Sequence, residues 1–306
     1  MNGLFQLLHA RAARGGRRPH DDGASIALVV EGGAMRGVIS AGMVSALEDL
    51  HMTDAFDAVY GASAGSINAA YFLAGQATLG TSIYYEDINN ANFIDLRRGL
   101  RGRAIVDLGY LLDDVAVRRK TLNSARVLDA ASPLSVLATD VDTHDATALS
   151  AFNDSRALMT ALRAGATMPV IAGAPHEYAG RRYLDASLSE PIPVPSAEAA
   201  GHTHILALLT RGAGVRPRPS ALDRFFVGPR LRRMSPELAT RYLRRAEPYA
   251  ELCRHIDAGT GPRGLSRVHA VRVSDYPISR LERRRGVLLE GARRGYDAIM
   301  AAFGRP

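Results

Sequence analysis

The sequence predicts an α/β fold, three layers deep, with a mostly parallel sheet between two layers of helices. Two observations carry this. Short apolar runs, such as Ile26–Val30 and His204–Thr210, recur along the chain and have the length of buried strands. Between them lie segments whose apolar residues recur at helical spacing, and strands alternating with helices build parallel sheets. The 306 residues, 47% of them hydrophobic, suffice for a sizeable core.

Residues 1–24 open with Leu4, Phe5, Leu7 and Leu8 and turn basic through Arg11, Arg14, Arg17 and Arg18. A secretory signal places its charges ahead of its apolar run, so this is not one. A disordered basic tail is expected, with a weak membrane-touching arm as the second reading. A strand over 25–31 then leads through a glycine loop to a helix over Gly37–Met52, where Ile39, Met43, Val44, Leu47 and Leu50 share a face. A strand over 56–62 leads to a helix from Ser63. Residues 78–120 are less regular, carry Arg97, Arg98, Arg101 and Arg103, and are expected as loops and short helices over one edge of the site.

Leu134–Asp140 is a strand with a hairpin partner at Thr147–Phe152. Ser155 is the expected N-cap of a helix ending near Gly165. Pro169–Asp185 reads as loop and hairpin, turning at Ala179-Gly180. His204–Thr210 and Val268–Ser274 are further strands, and a helix over Ser279–Phe303, interrupted by Gly286 and Gly291, closes the chain.

Two turns stand out. Gly61-Ala62-Ser63-Ala64-Gly65 follows an apolar strand and opens a helix, the pattern of a nucleophile elbow. A serine on so sharp a turn needs small neighbours, and Gly61 and Gly65 flank it. Glu31-Gly32-Gly33-Ala34-Met35-Arg36-Gly37 likewise follows a strand. It lacks the Lys-Ser/Thr of a phosphate-binding P-loop and the middle glycine of a dinucleotide fingerprint. Placed beside a serine elbow, its free backbone N–H groups would form an oxyanion hole, drawn from Gly32, Gly33, Ala34, Arg36 and Gly37. Arg36 has two readings. It meets a lipid phosphate, or it anchors the loop to a carboxylate and leaves Gly33 and Ala34 free to donate; the second is preferred.

In these motifs the chain resembles the patatin-like phospholipases, whose signature joins a Gly-Gly-x-x-Arg/Lys-Gly loop, a Gly-x-Ser-x-Gly elbow and a late Asp-Gly-Gly/Ala. The third block stands here as Asp185-Ala186-Ser187, so the aspartate is present but alanine replaces glycine. Val29–Gly33 and Ser274–Arg280 further resemble a bacterial subgroup of the family. On the residues alone Asp185 reads as a turn-forming residue. The resemblance implies a Ser63–Asp185 catalytic dyad, a lipid ester as substrate and no metal or organic cofactor. The chain itself is read as a catalytic domain over 25–210 and, over 211–306, the C-terminal part of the same domain.

Two other classes stay open. An α/β-hydrolase esterase would use a late histidine, His255 or His269, and His176 is the second candidate base by proximity. A non-catalytic lipid-binding protein on a retained fold is left open by Ala186.

The net charge is +7, and residues 211–245 hold ten arginines against Asp223 and Glu237. Interleaved with Phe225, Phe226, Leu231 and Met234, this segment reads as a solvated cationic face or as a peripheral contact with an anionic membrane. No nucleic-acid-binding signature accompanies it, and nucleic acid is not expected as a partner. Cys253 is the single cysteine, which suits a reducing, cytoplasmic setting. The sequence does not specify an oligomeric state.

Overall fold

A computed structural model describes residues 3–304 apart from 17, 19, 216–218, 222 and 275. Arg17, Arg216, Arg218 and Asp275, which figure in the sequence reading, therefore lie outside the described residues. Among the described residues eight strands form one sheet: β1 (Ile26–Val30), β2 (Ala58–Ala62), β3 (Leu134–Asp140), β4 (Ala146–Leu149), β5 (His176–Tyr178), β6 (Arg181–Asp185), β7 (His204–Leu209) and β8 (Arg267–Arg272). Hydrogen bonding links them along the path β5-β6-β3-β2-β1-β7-β8, with β2 and β6 following one another on one edge of β3 and β4 on its other edge. The central five, β3 to β8 in that order, run parallel; β4 and β6 are antiparallel to β3.

All five residues of β1 are buried, the mark of a strand covered on both faces. Alternation divides them between two cores. Ile26, Leu28 and Val30 join the larger one, and Ala27 and Val29 the smaller. Helices α1 (Gly3–Ala13), α2 (Val38–Asp49), α3 (Ala64–Leu73), α4 (Ala77–Glu86), α5 (Leu96–Leu100), α6 (Ser124–Leu128) and α7 (Ser155–Ala166) precede β5. Then come α8 (Val194–Ala199), α9 (Gly228–Met234), α10 (Pro236–Arg244), α11 (Ala246–Asp257) and α12 (Arg285–Ala302). Residues of α1, α2, α3, α7 and α12 fill the larger core, and Val194, Ala197, Tyr249 and Ile256 of α8 and α11 fill the smaller.

Residues 3–13, expected in a disordered tail, are instead the packed helix α1. Leu4 and Leu8 lie one turn apart and are buried with Phe5, whose ring meets His269 and Phe303 edge-on at 4.7 and 4.6 Å. Arg11, only 2% exposed, bonds Asp22, Asp57 and the carbonyls of Ala24 and Ala55. The charge of Arg11, part of the basic character that argued for disorder, is neutralised inside the fold, while Arg14 stays exposed.

Two smaller expectations shift. The cap of α7 is Asp154, whose carboxylate accepts the Ala157 N–H at 2.7 Å, and not Ser155. The last helix starts at Arg285, and Gly286 and Gly291 do not interrupt it. A methyl group at Gly295 would collide with the Ile39 carbonyl, and one at Gly42 with that of Ala292, so glycines here let α2 and α12 cross backbone to backbone.

Candidate active site

β1 lies at a switch point: the chain proceeds from it through β2 to β3 on one side and later places β7 and β8 on the other. In open parallel sheets, ligands bind beyond the carboxyl ends of strands at such a point. The glycine loop follows β1 there, and the serine elbow follows β2.

Ser63 sits at φ 55°, ψ −129° and caps α3, a conformation that costs an L-residue on the order of 1–3 kcal/mol. The surroundings hold it there. Ser66 donates from both its N–H, at 3.0 Å, and its hydroxyl, at 2.6 Å, to the Ser63 carbonyl. Gly61 lies against the backbone of Ser66, and Gly65 against the end of β1, so close that neither position admits a Cβ. Ser63 is half-buried and opens into a cavity of about 400 Å³.

The glycine loop lines the same cavity through Gly32, Gly33, Ala34 and Arg36. A Cβ on Gly32 would come within 2.9 Å of Ser63 Cβ, so loop and elbow are in direct contact. Gly33 at φ 137° and Ala34 at φ 52° turn the backbone. Among the described residues, no hydrogen-bond acceptor is assigned to the N–H groups of Gly33 and Ala34. Gly37 does not line the cavity; it packs against Ala64 and Tyr84.

The loop is clamped from beneath by a network the sequence reading did not contain. Glu31, 2% exposed, accepts the Thr210 N–H at 2.6 Å, the Tyr249 hydroxyl at 3.0 Å and Arg211 Nη1 at 2.7 Å. Thr210 Oγ1 donates to the Gly32 carbonyl at 2.8 Å and accepts Arg36 Nε at 3.3 Å. Arg36, expected to anchor the loop to a carboxylate, forms no ion pair among the described residues; it folds back beneath Gly33, near enough that a Cβ there would lie 2.7 Å from Nη2, and Glu31 holds Arg211. Burial, with repulsion from Arg211, pulls the Arg36 guanidinium down to about 10. The signal in the sequence was Glu31 itself, a charged residue directly continuing an apolar strand.

Asp185 ends β6. Ala138 and Thr139 of β3 pair with β4 on one edge and with β6 on the other. Ala62 pairs with Leu137 on that second edge, so β6 continues the edge that β2 leaves at the elbow. Asp185 is 1% exposed. Its N–H donates to the Thr167 carbonyl at 2.9 Å, its carbonyl accepts Thr139 Oγ1 at 2.9 Å, and its Oδ1 accepts the Ser187 N–H at 2.8 Å. Oδ2 is buried and, among the described residues, forms no hydrogen bond of good geometry. Burial pushes the carboxyl up from its ordinary value; the Ser63 hydroxyl is the foremost group opposing that shift, ahead of Ser187 and Arg280. Ala186 starts a 3₁₀ turn and is fully buried, and its φ is not positive, so the turn makes no demand for glycine.

Part of the cavity lining is apolar, with Ile83, Ile88, Phe93, Leu108, Leu111 and Ile171. The lining also carries Arg36, Arg211, Arg245 and Arg280 with Tyr242 and Tyr249. Asp223, fully buried, holds Arg245 and Arg280 at 2.9 and 3.0 Å. Ion pairing thus absorbs part of the charge of the basic segment. Among the described residues no histidine lines the cavity. His176 lies in β5, His255 in α11, and His269 in β8 against Phe5.

The glycine loop after β1, the serine elbow after β2 and the aspartate closing β6 all fall within residues 28–198. Over that span the chain matches the model of the patatin-like phospholipase family, and it belongs to that family. Among curated proteins it is similar to the uncharacterized protein YjjU of Escherichia coli (strain K12), at 27% identity over 196 residues. The match covers 63% of this chain and 54% of that protein, so the chain spans about half the length of this relative. Among solved structures, human GIVD cytosolic phospholipase A2 in complex with methyl gamma-linolenyl fluorophosphonate aligns with a TM-score of 0.46 at 11% identity, over 99% of this chain and 63% of that one.

Proposed function

We propose that this chain is a serine acyl hydrolase that cleaves carboxylic esters of lipids through an acyl-enzyme on Ser63, with Asp185 as its general base. The observation that carries the reading is Asp185 Oδ2, a buried carboxylate oxygen left without a good hydrogen bond on the strand edge that leads to Ser63. A serine hydroxyl is a poor nucleophile until a neighbour accepts its proton. Family membership and the absence of histidine from the described cavity lining favour the carboxylate in that role.

In the first stage Ser63 Oγ attacks the ester carbonyl carbon while its proton passes to Asp185. The carbonyl oxygen, now negative, faces the N–H groups of Gly33 and Ala34. Such preorganised donors contribute on the order of 3–4 kcal/mol each to the transition state. The alcohol leaves with the proton from Asp185. In the second stage Asp185 takes a proton from water, whose oxygen attacks the acyl carbon, and the released Ser63 oxygen recovers that proton with the free acid.

The apolar residues of the lining suit an acyl chain, and its arginines a polar or anionic headgroup. Reaction with a fluorophosphonate probe tests the proposal. A single adduct on Ser63, absent from the heat-unfolded protein and from Ser63→Ala, is the expected result. An untouched Ser63 in folded protein would make the chain a binding protein on a hydrolase fold.

A further inference from the structure

We propose that two exposed arginine–apolar segments, residues 96–103 and 224–234, are lips that seat the cavity mouth on an anionic lipid bilayer. The inference rests on the reading of the chain as a lipid-ester hydrolase and adds the surface from which it draws its substrate.

Both segments spring from the cavity wall. Phe93 and Val106 line the cavity, and the bridge between Ile94 and Val106 closes the base of the first loop. At its tip Leu96 is 61% and Leu100 86% exposed, beside exposed Arg97, Arg101 and Arg103. The second segment lies between Ser220 and Tyr242, which also line the cavity. Val227 and Leu231 bury its inner side completely, and Asp223 pins its start to Arg245 and Arg280. Its outer side presents Phe225 at 74%, Phe226 at 48% and Met234 at 41% exposure.

Leu96 and Leu100 stand four apart on one short helix and Phe225 and Phe226 are adjacent, so the exposed apolar side chains are grouped, and grouped exposure of this kind marks an interaction surface. The charge identifies the partner. Neither segment contains an acidic residue. Among the described residues, Arg97, Arg101, Arg103, Arg224, Arg232 and Arg233 have no carboxylate partner. Guanidinium groups interleaved with phenylalanine and leucine match a headgroup layer, where the cations meet lipid phosphate and the apolar groups enter the acyl boundary. Two such lips at one mouth would let a lipid pass from the bilayer to the cavity without crossing water.

Vesicle flotation of the full chain carrying Ser63→Ala separates binding from turnover. The Ser63→Ala protein should float with phosphatidylcholine vesicles containing phosphatidylglycerol, in a salt-sensitive manner, and only weakly with phosphatidylcholine alone. Combined Arg97→Gln, Arg101→Gln and Arg103→Gln should weaken partition on the order of a hundredfold. Phe225→Ser with Phe226→Ser should weaken it about tenfold. Equal partition onto both vesicles, or undiminished partition of either variant, would overturn the proposal. The same lip changes made with Ser63 intact should leave turnover of a water-soluble short-chain ester unchanged, which also shows that they fold. A wild-type chain that binds vesicles through its lips yet hydrolyses no ester would sink the hydrolase reading and leave the lips standing.

Discussion

Ala62 and Asp185 are consecutive partners along one edge of β3, opposite Leu137 and Ala138. The residue after Ala62 is Ser63, so a strand from one hairpin takes over the edge at the point where the elbow turns away. More than a hundred residues separate the two positions in sequence, and one strand brings them together.

Asp185→Asn is expected to lower kcat/KM by at least about a thousandfold, roughly 4 kcal/mol, because the amide keeps the shape and loses the base. His176→Ala should stay within about twofold. Initial rates on a soluble ester check both, and a reversal would replace the carboxylate by a histidine mechanism.

The same Asp185→Asn change should raise stability at neutral pH. Burial holds the folded-state pKa of Asp185 above its ordinary value. Its proton therefore stabilises the native state at low pH, and that contribution is lost as pH rises from the ordinary carboxylate value through the raised one. Asparagine carries no buried charge, so urea midpoints should separate above that window and converge below it. Activity should follow the opposite course, falling in acid through an apparent pKa above the usual carboxylate range. If Asp185→Asn instead destabilises the protein at pH 7, Asp185 returns to a structural turn role.

Ala186→Gly should lower stability by about 0.4–1 kcal/mol, since the native φ there is not positive and glycine only adds freedom to the unfolded chain. A melting temperature above that of the parent would show that alanine is strained.

Arg211→Met should cost about 3 kcal/mol in urea unfolding, because it leaves the Glu31 carboxylate buried without its cation. Ester turnover should fall with it, as Glu31 also holds Thr210, which supports Gly32. Full activity in a stably folded variant would uncouple the network from the glycine loop.

Leu8→Ala should destabilise the protein by about 2–4 kcal/mol, as for any large core truncation. A change under about 0.5 kcal/mol, the size of surface effects, would mean that α1 is the loose arm its composition resembles.

The sequence by itself determined the layered α/β plan and the two glycine-rich turns, while Asp185 stood out only through the family resemblance. These depend on local rules: buried strands are continuous apolar runs, and a serine elbow demands small flanking residues. Tertiary structure alone decided three things, each a matter of what surrounds a charged residue. Arg11 is buried because Asp22 and Asp57 converge on it. Glu31 holds Arg211 and not Arg36, because β1 and β7 are neighbours and place Glu31 beside Thr210. The burial of Asp185 next to the elbow follows from the shared edge of β3. Ion pairs between residues 11 and 57, or 31 and 211, leave no periodicity in a sequence, since nothing local fixes them until the sheet has chosen its strand order.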